Sequence, residues 1–282
     1  MPIVVTGATG HLGRLIVESL SRRGVPADQI VATGRDVAKI SDLAERGVVV
    51  KQADYNDIDS LRAAFAGADK LAFVSGSEAG QRVPQHRNVV AAAKDAGVGL
   101  VAYTSIANAE TSSLILAGEH KATEQEIIAS GLPYVFLRNS WYIENYTPQL
   151  PTYLEHGIVG AAGDGKVSAA TRADYAEAAA AALTTDGHAN KVYELGGAPF
   201  TMADLAAEVS KQSGKQVTYT DLPVEKYTEV LVGLGLPEQF AAVLADGDRG
   251  LAQGELYVED NDLEQLIGRK PTSLADAIRA AL

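Results

Sequence analysis

Short apolar runs and amphipathic segments alternate along the first part of the chain. A β-branched run at residues 3–5 breaks into glycines, and apolar positions with helical spacing begin at Leu12. Two further strand-like runs, 29–33 and 48–52, lie on either side of a helical pattern that ends at Arg46. These patterns predict a β-α-β-α-β arrangement.

The same alternation continues to the end of a sixth apolar run. Strand-like runs at 70–75, 99–104 and 134–137 are separated by helical patterns at about 84–96 and 121–130. Six strands with helices between them predict a parallel sheet that right-handed crossovers cover on both faces. The predicted fold class is therefore α/β, a Rossmann-like doubly wound parallel sheet. Ligands of such sheets bind beyond the C-terminal ends of the strands.

Beyond Asn139 the alternation is lost, and aromatic residues and prolines crowd the chain up to a glycine-rich stretch at 160–166. We expect residues 1–140 to form the Rossmann-like domain and residues 141–282 to form a smaller C-terminal lobe that caps the substrate. The segment at about 167–196 is expected to return from this lobe to the sheet.

Four patterns define the predicted elements of the C-terminal half. An alanine-rich helix at 172–183 and a strand at 191–195 form the returning segment. Two further helices, at 201–213 and 224–251, are predicted to lie outside the sheet.

Composition narrows the range of functions. With 282 residues, 46% of them apolar, the chain can bury a sizeable core as one large or two small domains. It has no cysteine, which excludes disulfides, thiolate metal sites and cysteine nucleophiles, so redox chemistry needs a bound cofactor. A formal charge of −12 argues against a nucleic-acid partner.

Hydropathy also bears on location. No apolar run approaches the length of a membrane span, so no membrane association is expected. The first strand begins at once, which leaves no room for a signal peptide. We therefore expect a cytoplasmic protein.

The turn after the first strand carries the strongest ligand signal. Its glycines, Gly7, Gly10 and Gly13, lie between a strand and a helix, where free N–H groups and the helix dipole favour a phosphate. The spacing is GxxGxxG and not the GxGxxG of the dinucleotide fingerprint, so a merely tight connection is the alternative. The predicted cofactor contacts in this turn are Gly7, Ala8, Thr9, Gly10, His11, Leu12 and Gly13.

Arg35 follows the second strand, where dinucleotide folds recognise the adenosine ribose. An acidic side chain there binds the 2′-hydroxyl, whereas an arginine pairs with a 2′-phosphate. Asp36 comes one residue later and can equally cap the next helix. Arg35 therefore favours NADP over NAD, and a solvent-exposed arginine at a helix start is the alternative.

Small polar residues end the next three strands. Such residues often cap strand ends, but their occurrence at three successive ends favours a binding site. Asp54 is a candidate acceptor for the adenine amine, and the later positions are expected near the nicotinamide and its ribose. The predicted contacts are Asp54 and Tyr55, then Ser75, Gly76 and Ser77, and then Thr104.

The catalytic group is harder to assign. No tyrosine is followed by lysine four residues later, so a Tyr-x-x-x-Lys proton donor is absent. His120 and Lys121 are the nearest candidates for an acid or an oxyanion-stabilising cation, and a solvated helix surface is the alternative. We take Lys121, Asn139 and Tyr142 as catalytic candidates.

The segment after the sixth strand is predicted to lie over the nicotinamide. Trp141 and Tyr142 there form a flat apolar wall for a substrate or pack the lobe onto the sheet.

The residues that metal binding and nucleophilic hydrolysis require are missing from the sequence. The five histidines never occur at i, i+4, so no metal site is expected, and no GxSxG nucleophile motif is present.

Five longer motifs, taken together, are typical of one group of proteins. They are TGATGHLG at 6–13, QADYN at 52–56, SEAGQRVPQHRNV at 77–89, LRNSWYIENY at 137–146 and GAAGDGKVSAATRADY at 160–175. With them the chain closely resembles the bacterial type-2 NAD(P)H:quinone oxidoreductases. That group belongs to the NmrA-like, atypical short-chain dehydrogenases, which also include triphenylmethane reductases.

The resemblance implies NADPH binding without flavin and transfer of a hydride to a small planar quinone near the Trp141–Tyr142 segment. The cofactor contacts that it implies are Gly7 to Gly13, Arg35, Ser75 to Ser77, Asn139, Ser140, Trp141, Tyr142, Ile143, Glu144 and Arg172. Three alternatives stay open: reduction of ketones or imines, reduction of triarylmethane dyes, and a non-catalytic NADP-sensing regulator. A homo-oligomer is possible.

Overall fold

A parallel sheet of seven strands forms the centre of the computed structural model, which describes residues 1–282. The strands are β1 (Ile3–Val5), β2 (Ile30–Gly34), β3 (Val49–Gln52), β4 (Lys70–Phe73), β5 (Leu100–Ile106), β6 (Tyr134–Asn139), β7 (Ile158–Gly160), β8 (Lys191–Leu195) and β9 (Tyr219–Asp221). The sheet order is β3-β2-β1-β4-β5-β6-β8, and β7 and β9 pair separately, also in parallel.

Helices cover both faces of the sheet and build the C-terminal lobe. They are α1 (His11–Arg22), α2 (Ser41–Glu45), α3 (Ile58–Phe65), α4 (Arg82–Asp95), α5 (Ile115–Ser130), α6 (Leu150–His156), α7 (Arg172–Thr184), α8 (Met202–Ser213), α9 (Val224–Gly233), α10 (Glu238–Ala252), α11 (Asp262–Ile267) and α12 (Leu274–Ala281). None of them is both long enough and apolar enough to cross a membrane.

Side-chain caps fix several of the helix starts. Asp57 accepts hydrogen bonds from the backbone N–H groups of Asp59 and Ser60 at the start of α3. Thr201 and Asp204 form a reciprocal capping box at the start of α8. Each cap satisfies backbone N–H groups that have no partner within the helix.

The strand order reverses beside β1. The chain runs outward from β1 to β2 and β3 on one side, and continues through β4, β5 and β6 on the other. Loops after β1 and β4 therefore diverge to opposite faces, and this leaves a crevice beyond their C-terminal ends.

Three apolar cores support this arrangement. On one face of the sheet, α1 and α7 bury residues such as Ile16 and Tyr175. On the other face, α3 and α4 bury residues such as Phe65 and Val89. A third core around Leu205 lies in the lobe. Because both faces of the sheet are covered at its centre, strands such as β1 and β2 are buried along their whole length, whereas the edge strands β3 and β8 carry charged and exposed residues.

The predicted fold class is confirmed, and the largest differences from the predicted elements lie in three places. Instead of a helix up to residue 46, a 3₁₀ turn at 37–40 precedes the short α2. Helix α5 begins at Ile115, six residues earlier than predicted. The single helix predicted at 224–251 is two helices, because Pro237 cannot continue a hydrogen-bonded helix and instead precedes the first residue of α10. Strands β7 and β9 and helices α6, α11 and α12 were not predicted.

Candidate functional site

A cavity of about 320 Å³ opens at the C-terminal ends of the strands beside β1. It lies at the crevice where ligands of doubly wound sheets bind. Thirteen of the residues that line it belong to the site predicted from the sequence. They are Gly7, Thr9, Gly10, His11, Leu12, Gly13, Arg35, Asp54, Tyr55, Ser75, Gly76, Ser77 and Arg172.

The turn from β1 to α1 is held in one tight conformation. Gly7 has a φ of +62°, which favours glycine. Its carbonyl accepts a 2.9 Å hydrogen bond from the N–H of Gly10, and the N–H of buried Ala8 donates to the carbonyl of Thr33 at 2.8 Å. A Cβ at Gly13 would lie 2.3 Å from the carbonyl oxygen of Gly7, so only glycine allows this approach.

The first turn of α1 leaves donors free. Gly10 precedes the helix and provides no side-chain cap, and the first turn has no acidic residue. The backbone N–H groups of His11, Leu12 and Gly13 have no acceptor in the protein. With the helix dipole they form a positive end suited to an anionic group.

Arg35 provides a cation at the outer end of the cavity. Its side chain is 61% exposed, and its Nη1 lies 2.6 Å from Oε1 of Glu78. Its carbonyl accepts a 3.1 Å hydrogen bond from the side chain of Gln52. Gly34 precedes it, and Thr9 from the glycine turn fills the space where a side chain at Gly34 would lie.

Asp54 and Tyr55 line the same end of the cavity in different ways. Oδ1 of Asp54 accepts a 2.9 Å hydrogen bond from the N–H of Asn56. The hydroxyl of Tyr55 lies 2.6 Å from both the carbonyl of Val74 and the hydroxyl of Thr6, and burial raises the pKa of Tyr55. The hydroxyl therefore joins the ends of β1 and β4, the ring packs edge-to-face against Phe73 and His86, and Tyr55 also lines the cavity.

Side chains beneath the cavity form hydrogen bonds with the backbone of Ser75 and Gly76. The N–H of Ser75 donates to the hydroxyl of Thr104 at 2.9 Å, so Thr104 lies beneath the cavity and does not line it. The N–H of Gly76 donates to Nε2 of His86 at 2.9 Å, and the carbonyl of Gly76 accepts from Arg82 at 2.6 Å. Burial, reinforced by Arg82, lowers the pKa of His86 to about 3, which keeps its Nε2 available as an acceptor.

The structure does not bring Lys121 into this cavity. Its Nζ donates a 3.0 Å hydrogen bond to the carbonyl of Glu110, and the residue lies on an exposed face of α5. His120 is buried, with Nδ1 2.8 Å from the hydroxyl of Tyr103, and burial lowers its pKa. The sequence placed both at a helix start, whereas α5 already begins at Ile115 and turns Lys121 outward.

The segment after β6 meets the cavity through Arg172. The guanidinium of Arg172 lies 4.4 Å from the ring centre of Tyr142, and Arg172 also lines the cavity. Burial raises the pKa of Tyr142, and a contact with Asn139 partly opposes the shift. Oδ1 of Asn139 is buried without a hydrogen-bond partner. Asn139 and Tyr142 thus offer polar groups beside Arg172 that the protein itself does not fully use.

The other predicted residues of this segment make contacts within the protein. The hydroxyl of Ser140 donates to the carbonyl of Leu256 at 2.7 Å, and Ile143 is fully buried. The carboxylate of Glu144 accepts hydrogen bonds of 2.9 and 3.1 Å from the N–H of Arg172. Trp141 packs toward Gly247 of α10.

Sequence reasoning missed five lining residues. Three of them, Gly34, Ala53 and Val74, are small or apolar strand-end residues that carry no chemical signal. The other two, Glu78 and Gln85, lie in the stretch 77–89 that contributed to the family resemblance, so that motif held the signal. No group of three or more His, Asp or Glu side chains is placed to hold a metal ion.

Comparison with known proteins gives consistent results. The sequence profile of the NmrA-like family matches residues 1–278. Quinone oxidoreductase 2 of Escherichia coli is 51% identical over 98% of this chain and 97% of its own length. The crystal structure of the E. coli NADPH-dependent quinone oxidoreductase complexed with NADPH superposes with a TM-score of 0.96, at 50% identity and 99% coverage of both chains. The Citrobacter sp. triphenylmethane reductase complexed with NADP(H) gives a TM-score of 0.94, at 43% identity, 99% coverage of this chain and 100% of its own.

Proposed function

This chain belongs to the NmrA-like family, and on that basis we propose that it is an NADPH-dependent oxidoreductase that transfers a hydride to a quinone without flavin. The similar E. coli protein is named quinone oxidoreductase 2, which supports a quinone as the acceptor. The similar E. coli crystal structure is of an NADPH-dependent quinone oxidoreductase with NADPH bound, which supports NADPH as the cofactor. The substrate is accordingly a small molecule.

One observation carries the proposal. A single cavity joins the free N–H groups at the start of α1 to the guanidinium of Arg35. These two positive groups fit the two phosphate-bearing parts of NADPH, with the pyrophosphate at α1 and the 2′-phosphate at Arg35. NADH lacks the second phosphate, so Arg35 favours NADPH.

At the other end, we assign the nicotinamide to the region of residues 75–77, Asn139, Tyr142 and Arg172. The buried, unpartnered Oδ1 of Asn139 fits the N–H group of a carboxamide. The hydroxyl of Tyr142 is protonated at neutral pH, as in an ordinary tyrosine, and burial raises its pKa further, so it can donate a hydrogen bond to an acceptor oxygen. Bound NADPH supplies the hydride, and these residues hold the reacting groups close together and exclude water.

The two parts of the chain then have distinct roles. Residues 1–140 supply most of the cofactor contacts, and residues 141–282 add Tyr142 and Arg172 and supply the acceptor side, with the segment around α7 and β8 returning to the sheet. In this assignment Trp141 bounds the acceptor space. A cytoplasmic location and a homo-oligomeric state stay predictions from the sequence.

The test follows oxidation of NADPH and NADH by a small quinone, with Arg35→Ala beside the wild type. Arg35→Ala is expected to raise the KM for NADPH about tenfold or more and to leave the KM for NADH within about twofold, because only NADPH offers a charge-assisted contact. Arg87→Ala is a matched control, since Arg87 is also 61% exposed and ion-paired, on the outside of α4. Turnover no faster than the uncatalysed reaction would refute the proposal.

Reduction of triarylmethane dyes is a second candidate. The similarity to the Citrobacter triphenylmethane reductase favours it. A panel of quinones, dyes, ketones and imines at equal concentration ranks the acceptors by kcat/KM. Tight NADPH binding without oxidation by any acceptor would instead favour the NADP-sensing regulator.

A further inference from the structure

Both carboxylate oxygens of Glu78 have a polar partner at the mouth of the cavity. Oε1 lies 2.6 Å from Nη1 of Arg35, and Oε2 accepts a 2.9 Å hydrogen bond from Nε2 of Gln85. Gln85 is only 4% exposed and belongs to α4, so it holds the carboxylate from a rigid element. Glu78 is therefore fixed beside the cation assigned to the 2′-phosphate, in the lining of the same cavity.

The position sets up a competition between two anions. A guanidinium that pairs with Glu78 must give up or share that contact when a phosphate arrives. The carboxylate then stays close to a second negative group, because Gln85 still holds it. NADH presents a neutral hydroxyl at this position, so its binding meets no such repulsion.

Glu78 also acts in the opposite direction, because it orients Arg35, and an oriented guanidinium favours NADPH binding. With 61% of Arg35 and 41% of Glu78 exposed, this pair is a surface ion pair, and such pairs contribute little net free energy. At the same distance and with the same screening, a carboxylate and a phosphate that carries nearly two charges repel each other about twice as strongly as two single charges attract. The net effect of the Glu78 charge is therefore to weaken NADPH binding.

We propose that Glu78 is a specificity-determining residue that competes with the 2′-phosphate for Arg35, and so lowers the preference for NADPH over NADH and speeds the release of NADP⁺. This inference rests on the proposed function, in which Arg35 binds the 2′-phosphate. It assigns to Glu78 a role separate from that of Arg35 itself.

Glu78→Gln separates charge from geometry. The glutamine oxygen can still accept from Gln85 or Arg35, while the negative charge is removed. The dissociation constants of NADPH and NADH are measured by calorimetry on the full-length protein. The Kd of NADPH is expected to fall three- to tenfold and that of NADH to change less than twofold, and stopped-flow release of NADP⁺ is expected to slow by a similar factor.

Two further variants complete the test. Glu126→Gln removes the same charge from another exposed ion pair on the surface and is expected to leave both Kd values within about twofold. Arg35→Ala tests the phosphate site itself. If Arg35→Ala leaves NADPH affinity unchanged, the proposed cofactor site fails. If Arg35→Ala weakens NADPH binding while Glu78→Gln leaves it unchanged or weaker, the competition by Glu78 is refuted and the cofactor site stands.

Discussion

Asp248 of α10 is a carboxylate that the fold places in an unfavourable environment. Its Oδ2 accepts a 2.8 Å hydrogen bond from the N–H of Ala161, and no cation pairs with it. Burial raises the pKa of Asp248 from 3.8 to about 6, and nearby Asp221 adds to the shift. The other titratable groups around it are tyrosines of the lobe: Tyr146, Tyr153, Tyr219 and Tyr227. We expect Asp248→Asn to stabilise the protein at neutral and alkaline pH.

The sign follows from proton linkage. Because the pKa of Asp248 is higher in the folded protein, the folded state holds its proton more tightly than the unfolded chain does. The stability that comes from the neutral carboxyl is fully present below pH 3.8 and is lost as the pH rises through about 6. A shift of about two units, at ~1.4 kcal/mol each, gives a loss of up to about 3 kcal/mol at pH 8.

Urea denaturation at pH 5 and pH 8 measures this difference. An asparagine oxygen keeps the acceptor for Ala161, so Asp248→Asn removes the charge with little change in packing. The variant is expected to gain about 2–3 kcal/mol of unfolding free energy at pH 8 and about half as much at pH 5. Asp186→Asn, in an exposed loop, is the control and is expected to change the free energy by less than about 0.5 kcal/mol. A variant that is no more stable than the wild type at pH 8, or that has the same pH dependence, would refute the reasoning.

Two further predictions concern the candidate site. Gly13→Ala places a Cβ 2.3 Å from the carbonyl oxygen of Gly7 and is expected to weaken NADPH binding at least about tenfold in calorimetry, because the turn must open. Gly118→Ala, on an exposed face of α5 with free space around it, is the matched control and is expected to leave binding unchanged. Lys121→Ala is expected to leave kcat with NADPH and a quinone within about twofold, since Nζ binds the carbonyl of Glu110 outside the cavity. A loss above tenfold would restore Lys121 as a catalytic candidate.

Local patterns account for most of what was predictable. The turn at 7–13, with its strand before and helix after, is encoded in consecutive residues, and so are the element types around it. Strand β8 was predicted with its observed bounds because a short segment with β-forming residues, KVYEL, lies between turn residues. Helix and strand boundaries were predictable only where a particular residue stops the element. Pro237 is such a residue, but the prediction overlooked it and joined α9 and α10 into one helix.

Contacts between distant segments were not predictable. Arg35 and Glu78 are 43 residues apart, and Lys121 was placed at a helix start although α5 begins at Ile115. The sequence by itself determined the alternation of strands and helices, the glycine turn and the cation at the end of β2, because short-range periodicity and backbone sterics set these features. Only the tertiary structure decided which side chains meet at the cavity, namely Glu78 at Arg35 and Arg172 at Tyr142, because such contacts depend on how the loops and helices pack beyond the ends of the strands.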